Sequence, residues 1–125
     1  MKNKILSLAL IFFASTAHAE WVKVFENIRG TTVYVNTDGL ISSGRFRKSW
    51  ELENYKKAAE NGMLSMKMRK EYDCEDEMMK LEYFVAYKGL MGTGTELGMV
   101  KTPADWQPIS KNPGGKGAFR LVCNK

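Results

Sequence analysis

The residues best able to do chemistry in this chain are few, and two of them are its only cysteines, Cys74 and Cys123. They lack the Cys-x-x-Cys spacing of a redox dithiol. In an exported chain their natural product is one disulfide, with free thiols or an intermolecular bridge as the alternatives. The single histidine is His18. It sits in an N-terminal segment that reads as a cleaved leader, so the mature chain is expected to hold none. Without imidazole there is no Ser-His-Asp or Cys-His nucleophile and no histidine metal site.

Carboxylates are the next candidates. Asp73, Glu75, Asp76 and Glu77 cluster around Cys74. Such oxygens could hold calcium, but the regular spacing and the glycine of a calcium loop are missing. The segment reads as a solvated hairpin. Paired carboxylates can also cleave glycosides across a cleft, and a domain this small offers little cleft. Gly89-x-x-Gly92-x-Gly94 has the look of a phosphate-cradling loop, yet no helix start and no Lys-Ser/Thr follow it. It reads as a turn, and no cofactor and no metal are expected. Basic residues remain: Arg47, Lys67, Arg69 and Lys70. They form a candidate polyanion or partner surface, against the plainer reading of cross-strand pairing with Glu51, Glu53 and Glu71.

The leader decides where this chemistry takes place. Lys2 and Lys4 precede the apolar run from Ile5 to Phe13, and Ala17-His18-Ala19 closes it. A charged start, an apolar middle and a small-x-small end make a secretory signal peptide. The run is shorter than the roughly 20 residues a membrane helix needs. Residues 1–19 are therefore expected to be removed, leaving the domain 20–125 in the periplasm, secreted or on the cell surface. No cysteine follows the run to accept a lipid, and no transmembrane segment is expected. Loss of Lys2 and Lys4 takes the formal charge from +5 to +3. That mild surplus suits anionic glycan or lipopolysaccharide, or simply solubility. Nucleic acid is not expected as a partner after export.

The elements that must position these residues alternate with period two. In 46–54, Phe46, Trp50 and Leu52 oppose Arg47, Ser49, Glu51 and Glu53. In 64–72, Leu64, Met66, Met68 and Tyr72 oppose Ser65, Lys67, Arg69 and Glu71. In 78–88, Met79, Leu81, Tyr83, Val85 and Tyr87 oppose Lys80, Glu82 and Lys88. Such runs form half-buried antiparallel strands. Trp21–Phe25, Thr32–Asn36 and Glu96–Lys101 add shorter ones. Tyr55–Glu60 suggests one helical turn. Pro103, Pro108 and Pro113 punctuate an irregular stretch, and Lys116–Cys123 suggests a short helix with Phe119, Val122 and Cys123 on one side. Met66, Met68 and Met79 are expected as core filler. Met78, Phe84 and Ala86 make the second face of 78–88 apolar, to be covered by the C-terminal segment or by a second subunit. The fold class is α+β, mostly β: a single antiparallel sheet of about five to six strands with a short C-terminal helix tied by one disulfide.

With these strands placed, a family resemblance becomes visible. Trp21-Val22-Lys23-Val24 is followed by Thr32-Val33-Tyr34-Val35, then Leu64-Ser65-Met66-Lys67 running into Glu71-Tyr72-Asp73-Cys74. Ala86-Tyr87, Gly89-Leu90-Met91-Gly92-Thr93-Gly94, Trp106-Gln107-Pro108-Ile109 and Cys123 complete the order. This string resembles the surface-adhesin protein E domain family over essentially the whole mature chain. The resemblance implies a small antiparallel sheet, a C-terminal helix and one disulfide. It also implies a non-enzymatic, protein-binding adhesin that recognises host matrix proteins and can form a homodimer. From another class comes the alternative of a periplasmic interaction or regulatory protein acting on an envelope enzyme or assembly.

Overall fold

Three consecutive alternating runs become three long neighbouring strands at the centre of one antiparallel sheet. The computed structural model describes residues 20–101 and 104–124. The expected leader and Pro103 lie outside them. The strands are β1 (Trp21–Glu26), β2 (Thr32–Asn36), β3 (Ile41–Ser43), β4 (Phe46–Asn54), β5 (Ser65–Asp73), β6 (Met78–Tyr87), β7 (Glu96–Val100) and β8 (Gln107–Pro108), followed by the helix α1 (Pro113–Cys123). The sheet runs β1-β2-β4-β5-β6-β7, with β3 added beside β4 and β8 beside β6. All six expected strands are present. The short β3 and β8 are additional, too brief for their alternation to register.

Glycines made α1 look shorter than it is. It begins at Pro113 rather than at Lys116. Asn112 caps it, accepting from the Gly115 N–H at 3.0 Å, and Pro113 suits the first turn, where no donor is needed. Gly115 and Gly117 are there for closeness: a Cβ on Gly117 would meet the Val24 carbonyl oxygen at 2.3 Å, and one on Gly115 the Met79 sulfur at 2.8 Å. Their helix penalty is offset by that tight seat. The expected helical turn at Tyr55–Glu60 is absent. Tyr55 instead donates to the Leu64 carbonyl at 2.8 Å and Ala59 to that of Met63 at 3.0 Å. The segment thus extends the β4–β5 hairpin rather than coiling.

The helix covers one face of the sheet. Val35, Tyr72 and Met79 from the strands meet Ile109, Ala118, Phe119 and Val122, with Val24, Leu40 and Cys123 at the margin. The disulfide joins Cys123, at the end of α1, to Cys74 in the β5–β6 turn, with Cα atoms 5.5 Å apart.

Two expectations about the faces are corrected. In β4 the polar side is the covered one, because Glu51 opposes Val35 on β2 and Met68 on β5. In β6 the alternation changes phase. Arg69 opposes Tyr83 but Lys70 opposes Leu81, so Glu82 is an extra residue in a β-bulge. Met79 and Leu81 therefore face the helix side with Tyr72 and Lys70, while Tyr83, Val85 and Tyr87 turn to the opposite face. Phe84 and Ala86 share the helix side with Met68 and Met66. A strict period-two count cannot anticipate this inversion.

Candidate functional site

Beneath the helix the chain buries charge without exposing it. Glu51 is fully buried. Its Oε2 accepts from Ser49 Oγ at 2.8 Å and Tyr72 Oη at 2.6 Å. Lys70 Nζ lies 3.1 Å from Oε1. Burial holds the Tyr72 phenol well above its usual pKa, reinforced by the Glu51 carboxylate. A buried network of this kind orders a core.

The hairpin carboxylates are also engaged. Arg45 binds Asp73 through Nε and Nη2 and reaches Asp76 at 2.6 Å. The guanidinium beside Asp73 holds its carboxyl below the usual range, outweighing desolvation. Among the described residues no three His, Cys, Asp or Glu side chains are grouped to hold a metal ion. The glycine-rich segment 89–95 is a loop folded onto the sheet. Met91 N–H donates to Asn54 Oδ1 at 2.8 Å and Gly92 N–H to Ser65 Oγ at 2.9 Å. Gly92 keeps a φ of 66° and lies where a Cβ would touch Leu52 at 3.2 Å. The loop thereby covers one end of the face opposite the helix.

The rest of that opposite face is open and is built in rows. Leu52, Lys67 and Val85 form one row, Trp50, Arg69 and Tyr83 the next, and Lys48, Glu71 and Lys80 the third. Lys67 and Arg69 stand over the Trp50 ring at 4.7 and 4.9 Å from its centroid. Tyr83 meets the same ring edge-on at 5.5 Å. Lys80 lies 4.7 Å over Trp106, which leans on Phe46 at 5.8 Å. Such cation–ring contacts hold a charged head in place without neutralising it. The third row is balanced with the help of Glu82 at the bulge: Lys48 pairs with Glu82 at 2.9 Å and with Glu71 at 3.6 Å, and Lys80 with Glu71 at 3.7 Å. Arg69 is only 8% exposed, and its Nη1 has no hydrogen-bond partner among the described residues. A cleft of about 480 Å³ adjoins Tyr83 and is bordered by Lys80, Glu82 and Lys101. Ile41, Phe46 and Met99 are exposed large apolar side chains at the rim.

The four basic residues singled out in the sequence do not form one stripe. Lys67 and Arg69 share the open face. Arg47 opposes Tyr72 on the helix side, and its Nη1 donates to the Gly44 and Phe46 carbonyls at 2.6 and 2.9 Å. Lys70 is consumed by Glu51. Trp50 and Tyr83 were the residues that pattern reasoning missed, since alternation assigned both to a core face. Their signal was positional: a β4–β5 hairpin in this register sets Trp50 directly against Arg69.

Comparison with known proteins agrees with this architecture. A search of curated protein sequences finds no match. Among solved structures, Haemophilus influenzae protein E in its second crystal form is similar with a TM-score of 0.70 and 11% identity, covering 86% of this chain and 89% of that one. Protein E from non-typeable Haemophilus influenzae is similar with a TM-score of 0.62 and 10% identity, covering 88% and 79%. Identities this low speak for the fold alone. The family model for surface-adhesin protein E matches residues 21–124. With that match spanning nearly every residue of the sheet and helix, the chain belongs to the surface-adhesin protein E family.

Proposed function

We propose that this chain is an exported, non-enzymatic adhesin-like domain, residues 20–125, that binds a host matrix component through the open face of its sheet. The observation that carries the reading is that face itself. Cations held over aromatic rings lie beside exposed Ile41, Phe46 and Met99, a composition suited to an interface more than to bulk solvent. Family membership supports an adhesin-like surface role, and the pattern of residues 1–19 supports export. No helix among the described residues is long and apolar enough to cross a membrane.

The test is protease shaving of intact cells, with the periplasm released and probed separately. Digestion on intact cells supports adhesion, to be followed by binding of residues 20–125 to immobilised matrix components. Protection until the outer membrane is opened rejects direct host adhesion and favours the alternative, a periplasmic partner of an envelope enzyme or assembly.

A further inference from the structure

We infer that the chemical group recognised at Lys67, Arg69 and Trp50 is the sulfate or carboxylate of an acidic polysaccharide. The inference rests on the open face being the binding surface and goes on to name its ligand class. Arg69 is nine-tenths buried, and its Nη1 has no acceptor among the described residues. An orphaned buried guanidinium donor is costly, and an incoming anion relieves that cost. Lys67 stands one row away along β5, so two cations share this face about 7 Å apart, Lys67 the more exposed of the two. Neither makes an ion pair among the described residues, while the neighbouring Lys48, Glu71, Lys80 and Glu82 balance one another. The surplus charge of the face is therefore concentrated at these two residues. Stacking on Trp50 fixes both heads before a ligand arrives, which limits the ordering cost of binding.

The shape of the site favours a polymer of sugars over a lipid headgroup or a compact anion. The rows are open across the strands, and the cleft beside Tyr83 continues them towards Lys80 and Lys101. Half-buried Tyr83, at the mouth of that cleft, offers the apolar C–H faces of a pyranose ring a place to lie. An extended acidic glycan can use both features at once.

The experiment is binding of residues 20–125 to heparin and to chemically desulfated heparin, with polyglutamate and anionic phospholipid vesicles as competing probes. Lys67→Gln and Arg69→Lys are compared with the double variant Lys56→Gln/Lys57→Gln, which removes two exposed charges elsewhere. Expected are binding of heparin, weakening on desulfation, and a loss of about tenfold in each site variant with none in the control. Arg69→Lys keeps the charge and loses the fork, and Lys67→Gln guards against a folding defect at the buried arginine. Equal loss in the control, or polyglutamate or vesicles binding as tightly as heparin, overturns the inference. Matrix stripped of its glycans separates the two readings. Undiminished binding to stripped matrix without binding to heparin keeps adhesion and overturns the glycan. Heparin binding without any matrix binding keeps the glycan and overturns adhesion.

Discussion

Tyr72 donates its phenolic hydrogen to Glu51 Oε2 across 2.6 Å, in a space that the helix closes off from water. Both side chains are fully buried. The pair explains how a strand can turn its carboxylates inward. Oε2 is met by Ser49 and Tyr72, while Oε1 has the Lys70 ammonium at 3.1 Å and no hydrogen-bond partner among the described residues.

Tyr72→Phe keeps the ring and removes the donor, so the cost is that of a buried carboxylate left short of one partner, about 1–3 kcal/mol. Urea unfolding at neutral pH measures it. Replacing the ion pair by Glu51→Leu/Lys70→Met is expected to cost less than Glu51→Leu alone, because the double change leaves no stranded ammonium. A double variant less stable than the single would refute this account of the network.

The Arg45–Asp73 clamp predicts the acid limb of stability. The folded-state pKa of Asp73 is depressed by the Arg45 hydrogen bonds. Its contribution is therefore present above the ordinary carboxylate pKa and is lost as pH falls through the lower folded value. Asp73→Asn should flatten the stability profile below about pH 4. An unchanged acid limb in that variant would assign it to other carboxylates.

Glu53 has the opposite sign. Burial raises its pKa above the usual value, so stability associated with its protonated form is lost as pH rises through the folded value. Glu53→Gln should stabilise the domain near pH 7 and lose that advantage near pH 4. Paired urea midpoints at the two pH values decide the matter.

Reduction of Cys74–Cys123, which closes a separation of 49 residues, should destabilise by about 4 kcal/mol in the chain-entropy account. Melting with and without reductant, and of Cys74→Ala/Cys123→Ala, reads the effect. Equal melting temperatures would remove the structural role of the bond.

Two glycines in one helix should respond in opposite directions. Gly117→Ala drives a methyl into the Val24 carbonyl and should cost on the order of 1–3 kcal/mol by overpacking. At Gly114 the nearest atoms to an added Cβ are 3.6 Å away, so Gly114→Ala should gain a few tenths of a kcal/mol or more from propensity. Thermal melts of both variants provide the check.

Much of the sheet was legible because strand periodicity survives in β4 and β5, and because Cys74 and Cys123 allow one intramolecular pairing. What escaped reading depended on tertiary contact. Ser49 and Glu51 look like a wet face until a helix supplies the lid and Tyr72 supplies the donor. The early turns of α1 look like loop until Val24 and Met79 are seen to demand glycine. The open face was half legible: Lys67 and Arg69 were singled out, whereas Arg47 and Lys70 fell on the far side because odd and even positions of neighbouring strands are set by register. Trp50 disclosed nothing by itself, since the same residue type would serve a core.

The extra residue at Glu82 divides β6 into two half-strands of opposite phase. For sequence comparison it behaves like a frameshift. A relative lacking that single residue can share the fold, yet an ungapped alignment would set its outward side chains against inward ones from there to the end of the strand. At identities near one residue in ten, relatives should be matched on the two halves separately, with the gap placed at the bulge. Deleting Glu82 from this chain would leave Leu81 opposite Lys70 and Tyr83 opposite Arg69 in unbroken register, so the bulge would be lost while the row that Trp50 and Arg69 share would remain.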